Sequence, residues 1–171
     1  MTGQQHTEPR TAVFKPISLR PHWMQFTINQ VWWLILSIVM LAFYVNMNDS
    51  IFRNMFLLLF IAVVLYLLYQ IIYIARIEYI ITGDQLIFLH GVVSHSTDYM
   101  ELYRVIDYQQ HRSLMQQITG MKTVVIYSGD RNTPVMSLVG MKENNDVVGM
   151  IRERVEYNKQ LKHIYEITNR M

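Results

Sequence analysis

Between positions 55 and 75 the chain reads MFLLLFIAVVLYLLYQIIYIA, twenty-one residues with no charge, glycine or proline. Fourteen of them are Leu, Ile, Val or Phe. As a helix the run is about 31 Å long, close to the roughly 30 Å hydrocarbon core of a bilayer. Insertion scales give it a preference for lipid of roughly 4 to 8 kcal/mol, which one glutamine does not cancel. An earlier apolar run over 31–45 covers only about 22 Å as helix, so a crossing needs it extended to about 27–47. The intervening NMNDSIFRN is too short for anything but a turn, so the pattern predicts two antiparallel spans, about 27–47 and 55–75, in a hairpin over 27–76. Equal rises counted from the turn put Gln30 near the depth of Gln70. Either the two amides hydrogen-bond across the helices, or each reaches headgroups and water. Trp23, Trp32 and Trp33, all the tryptophans of the chain, are candidate interfacial anchors.

Polar residues dominate residues 1–26, and Pro9, Pro16 and Pro21 interrupt them. A tail without regular structure is expected there until about His22. Arg20 and His22 occupy the place where a cleavable leader would be apolar, so no signal peptide is read.

Beyond Arg76 the pattern changes to short β-rich pieces separated by turn residues. Residues 77–81 and 86–89 flank Thr82-Gly83-Asp84-Gln85, a hairpin signal. Gly91 marks the next turn, followed by expected strands over 92–102 and 104–110. Ser113 is placed to cap a short helix through Leu114, Met115 and Ile118, which Gly120 stops; these three apolar residues are expected to fill the mouth of a barrel. Strands over 122–128 and 134–139 follow. Asn145 is expected to cap a long helix reaching about Asn169, with Val147, Ile151, Val155, Leu161 and Tyr165 near a helical period and Gly149 as its weak point. Strands followed by one closing helix make an antiparallel, partly open barrel or a pair of orthogonal sheets plugged by that helix.

Charge and composition narrow the functional classes. From Arg76 onward there are eleven basic and eleven acidic residues, and this neutrality gives nucleic-acid binding no support. Cysteine is absent, which excludes disulfides and thiolate metal sites. Arg10, Lys15, Arg20 and Arg76 flank one end of the hairpin against Arg53 at the other, so both termini are expected in the cytoplasm. Asn48-Asp49-Ser50 matches a glycosylation sequon, but so tight a turn holds the Asn against the membrane.

Several residues carry a family resemblance: Tyr79-Ile80-Ile81-Thr82, the Gly91 turn, and Leu102-Tyr103-Arg104-Val105-Ile106-Asp107-Tyr108 running into Gln110-His111-Arg112-Ser113-Leu114-Met115-Gln116-Gln117-Ile118-Thr119-Gly120-Met121-Lys122-Thr123-Val124. The chain resembles the bacterial pleckstrin-homology-like (PH-like) domains of small membrane proteins in which two transmembrane helices precede the domain. Arg112 stands where Gln commonly precedes Ser, and Met121-Lys122-Thr123 replaces a Gly-x-Gly-Thr pattern. The resemblance implies a membrane-anchored α+β fold, with a PH-like domain over 77–158 and a helical extension over 159–171. It implies a bacterial cytoplasmic-membrane location and a scaffold without one shared chemistry.

No catalytic constellation stands out. His90 and His95 lack the further ligands of a zinc site. Ser94, His95, Ser96 and Asp98 sit on one strand with alternating faces and cannot converge as a triad. No phosphate loop or dinucleotide fingerprint is present, and neither metal nor cofactor is expected. Two binding surfaces are. Arg112, Ser113 and Lys122, at a break in the sheet, have the groups to meet a lipid phosphate, although two basic residues are also what an ordinary solvated surface carries. Leu161, Ile164, Tyr165 and Ile167 form a stripe suited to oligomerisation or a protein partner, or to a frayed helix end. The sequence therefore reads as a non-enzymatic interaction or assembly module, with anionic lipid binding or an accessory role in a transport or secretion complex as alternatives.

Overall fold

In a computed structural model, residues 14–162 are described. Two long apolar helices are followed by two antiparallel sheets and a closing helix. Helix α1 runs Met24–Asn46 and α2 runs Ser50–Arg76. Both are long and apolar enough to cross a membrane. They pack as an antiparallel pair, with Trp33 against Tyr66 at 4.9 Å and Phe43 stacked on Phe56 at 5.2 Å between ring centroids. The turn between them is shorter than the sequence suggests, because the Asp49 carboxylate accepts from the backbone N–H of Ile51 and starts α2 at Ser50. That cap satisfies an otherwise orphaned donor and draws residues 50–54 into the helix.

The first sheet has the order β1-β2-β3-β4, from Ile17–Leu19, Glu78–Ile81, Gln85–His90 and Ser96–Glu101. Strand β1 corrects the expectation of an unstructured tail. Ile17 pairs with Ile81 and Leu19 with Tyr79, and Leu19 packs on the core. Pro16 and Pro21 bracket the strand instead of forbidding it, since an edge strand tolerates proline at its ends. The second sheet has the order β5-β6-β7, from Val105–His111, Met121–Ser128 and Val135–Lys142. A single turn of 3-10 helix, Leu102–Arg104, carries the chain from one sheet to the other. Among the described residues the two sheets stay separate, so of the two expected forms the structure has the pair of sheets and no closed barrel.

Tyr79, Ile81, Leu86, Met100, Leu102, Val124, Ile126 and Leu138 are buried between the sheets. Helix α4, Val147–Leu161, closes the open side with Val147, Ile151 and Val155, three of the five residues whose spacing predicts its inner face. Its cap is Asp146, not Asn145: the carboxylate accepts from the N–H of Gly149 at 2.9 Å. A Cβ on Gly149 would lie 2.1 Å from that carboxylate, so the glycine makes room for the cap. Near the other end of α4 the Asn158 amide donates to the carbonyls of Gly83 and Arg154. Arg154 donates to the Lys15 carbonyl, and its guanidinium lies over the Phe14 ring, which fastens the segment before β1 to the closing helix.

Candidate functional site

The hairpin meets the domain through short-range contacts, not a free linker. The backbone N–H of His22 donates to the carbonyl of Gly140 at 3.0 Å. Gly140 lies in β7 with φ +68°, and a Cβ there would stand 2.9 Å from Cβ of Gln25 and 3.3 Å from Cβ of Pro21. Only a glycine lets the start of α1 come this close.

Beside that contact is a buried amide chain. Gln116 donates through Nε2 to Oε1 of Gln25 at 3.1 Å and to Oγ1 of Thr123 at 2.9 Å. Gln25 in turn donates to Asn29 at 2.7 Å. Gln116 belongs to α3, Leu114–Ile118, and completes a capping box with Ser113, each side chain accepting from the other residue's backbone N–H. One side chain thus caps the start of a short helix, holds β6 and grips α1. With Gln116→Leu the side-chain half of the capping box and the grip on α1 and β6 are lost and buried donors and acceptors are left unmade, so stability should fall by about 1–3 kcal/mol. Thermal unfolding of the detergent-solubilised chain checks this, with the exposed Gln117→Leu as its control.

Next to these contacts is a cavity of about 330 Å³ between the hairpin and the two sheets, lined among others by Gln25, Asn29, Gln70, Tyr73, Phe88 and Asp98. Among the described residues no Lys or Arg lines it. His90 contacts Asp98 at 3.2 Å, and the rings of Tyr79, Phe88 and His90 stack in series at 4.9 and 4.5 Å. At the adjoining edge of the sheet Glu78 accepts from Ser18 and Arg20. These bonds, the Ser18 hydroxyl first, hold its carboxyl below the usual range.

Two tyrosines are pushed the other way. Burial raises both Tyr79 and Tyr108 to about 12. A tyrosine whose folded pKa exceeds its unfolded value stabilises the fold fully below pH 10 and loses that contribution as pH rises toward 12. Stability should therefore stay level up to about pH 10 as far as these two groups are concerned, and fall between 10 and 12. A base titration followed by tyrosinate absorbance and circular dichroism checks the coincidence of ionisation with unfolding.

The residues singled out by sequence are placed as follows. Arg112 is ion-paired with Glu143, and the Ser113 hydroxyl is occupied as the cap of α3. Lys122, expected at the surface, is only 5% exposed, because it sits at the buried start of β6 opposite Met141. Leu114, Met115 and Ile118, expected to plug a barrel mouth, are exposed; Gln116 is the α3 side chain that turns inward. Gln30 is buried with an unpartnered Oε1, and no hydrogen bond joins it to Gln70, which faces the cavity. Trp23, Trp32 and Trp33 are all exposed. Leu161 is exposed on the last turn of α4, while Ile164, Tyr165 and Ile167 lie outside the described residues. Among the described residues no group of three or more His, Cys, Asp or Glu is placed to hold a metal ion.

Sequence reasoning missed Gln25, Gln116, Tyr79 and Gly140. Gln116 had a readable signal, the Ser-x-x-Gln of a capping box; the other three are given meaning only by partners far along the chain. A family model described as bacterial PH domain matches residues 27–155, which takes in most of α1, all of α2, strands β2 to β7 and the larger part of α4. Neither the curated proteins nor the solved structures contain a match.

Proposed function

Because the chain belongs to the bacterial PH domain family, we propose that it is a non-catalytic interaction module, anchored by the α1–α2 hairpin and presented at the cytoplasmic face of a bacterial membrane. The observation that carries this reading is the outward-facing apolar surface of the hairpin. Ile38 and Val45 on α1, and Ile51, Leu58 and Leu65 on α2, are exposed along the length of the pair. Water covers such a surface poorly and lipid covers it well. Arg20 and Arg76 at the domain end, against Arg53 near the turn, favour the cytoplasmic placement.

In this reading the domain works by position and company. Assembly with a second copy or a protein partner is assigned to its free surface, including the end of α4 at Leu161 and the residues that follow. A phosphate-binding role for Arg112, Ser113 and Lys122 has less support, because all three side chains are paired, used as a cap or buried.

Washing membranes that contain the full-length chain with alkaline carbonate should leave it in the pellet. Release into the wash as a monodisperse, detergent-free protein would overturn the anchor. Removing the residues after Asn158 should lower the oligomeric mass in detergent while the domain stays folded; an unchanged mass would remove the assembly role of that segment.

A further inference from the structure

We propose that the hairpin end of the domain rests on the bilayer through two apolar tips that enter the headgroup layer: the β3–β4 loop at Val93, beside α2, and helix α3 at Leu114, Met115 and Ile118, beside α1. The proposal builds on the membrane-anchored reading above and adds a second, peripheral contact to it.

Both tips are fixed to the hairpin. The guanidinium of Arg76, in the last turn of α2, contacts Nε2 of His95 at 3.2 Å, which holds the β3–β4 loop against the end of that helix. The Gln25–Gln116 bond holds α3 against the first turn of α1. Each tip offers apolar side chains to the outside. Val93 is 92% exposed, Leu114 77% and Ile118 80%, and Trp23, just before α1, is 69% exposed.

Depth agrees with this arrangement. Gln25 lies two residues, about 3 Å of helix, outside the crossing that begins at about Thr27. The polar layers of a bilayer add roughly 5–8 Å outside each face of its hydrocarbon core. Helix α3, tied to Gln25, therefore stands at the level of the headgroup layer. Apolar and aromatic side chains are well placed there, one end dry and the other wet.

Charge agrees as well. Arg76 flanks one tip through its contact with His95; exposed His111, Arg112 and Lys142 flank the other. The nearby carboxylates of Glu78 and Glu143 are taken up by Arg20 and Arg112. Those two pairs cancel, so Arg76 and Lys142 against Asp98 leave the fringe slightly basic, the sign that suits an anionic leaflet.

The absence of cysteine from the chain makes the test direct. Four single-cysteine variants of the full-length chain, Val93→Cys, Ile118→Cys, Leu58→Cys and Gln160→Cys, are labelled with an environment-sensitive fluorophore. They are then reconstituted into vesicles of zwitterionic and anionic phospholipid carrying brominated acyl chains. Leu58 reports on the hairpin, and Gln160, exposed at the far end of α4, reports on water. The expected result is blue-shifted emission and quenching at Val93 and Ile118, several-fold above that at Gln160, together with strong quenching at Leu58. Quenching at Leu58 with Val93 and Ile118 behaving like Gln160 would overturn the proposal and leave the anchor standing. Shielding at Ile118 that depends on protein concentration, with energy transfer between labelled copies, would assign the patch to a second copy and overturn it too. No quenching at any position would remove the anchor and the proposal together.

Discussion

Tyr79→Ala is expected to lower the unfolding free energy of the domain by about 3–5 kcal/mol, the range for deleting a large buried aromatic. Tyr79 is fully buried in β2 and its ring stacks on Phe88. Its hydroxyl donates to the carbonyl of Ser137 at 3.0 Å and accepts from the N–H of Val139 at 3.3 Å. The residue therefore fills the space between the sheets and also joins the first sheet to the last strand of the second. Tyr79→Phe separates the two roles. The ring remains, but two backbone groups of β7 lose their partner, at a cost of about 1–3 kcal/mol. Chemical denaturation of the full chain in detergent, followed by near-ultraviolet circular dichroism, should rank Tyr79→Ala well below Tyr79→Phe. Tyr79→Phe should also shrink the loss of stability between pH 10 and 12, because the group that resists ionisation there is gone. Equal losses for the two variants would mean that the hydrogen bonds, and not the packing, account for the residue.

Gly140→Val should release the hairpin from the domain. The left-handed backbone costs a side-chain-bearing residue about 1–2 kcal/mol. Crowding against Pro21 and Gln25, both close to the position of the new Cβ, adds about 1–3 kcal/mol. Gly120→Ala provides a matched control, since it has a similar φ of +65° with nothing within 4 Å of a Cβ. It should therefore show the backbone cost alone. The expected signature of Gly140→Val is faster proteolysis between Leu19 and Trp23 together with a lower unfolding midpoint. A domain that keeps its midpoint while this segment becomes cleavable would show that the latch is energetically separate from the core.

What could be read along the chain was whatever depends on neighbours a few residues away. The two apolar runs, the Thr82–Gln85 turn, the Ser113 cap and the inner face of α4 at Val147, Ile151 and Val155 each leave a local periodic or turn signature. What escaped depends on partners distant in sequence. Ile17 and Leu19 look like loop residues between prolines until Ile81 and Tyr79, more than fifty positions away, offer an unpaired strand edge. Gln25 and Gln116 are two among many amides until the fold sets them in contact across 91 positions. Lys122 reads as a surface charge by residue type, and only the register opposite Met141 shows that it is covered. Asp146 and Asn145 are equally good caps on paper; the side-chain-free Gly149 decides between them. At the site the resemblance gave the scaffold, while the amide chain and the hairpin cavity came from geometry.

One consequence concerns how the chain is laid down. Strand β1 leaves the ribosome before both long helices, yet its partner β2 follows them, so Ile17–Leu19 must wait while more than fifty residues are threaded into place. Once the edge is zipped, the loop from Leu19 to Tyr79 is closed, and its two ends share one compartment. Any passage through a bilayer inside that loop is then obliged to be a round trip. The sidedness of the N-terminal segment and that of the domain become one property, locked by backbone pairing and independent of how the basic residues are counted.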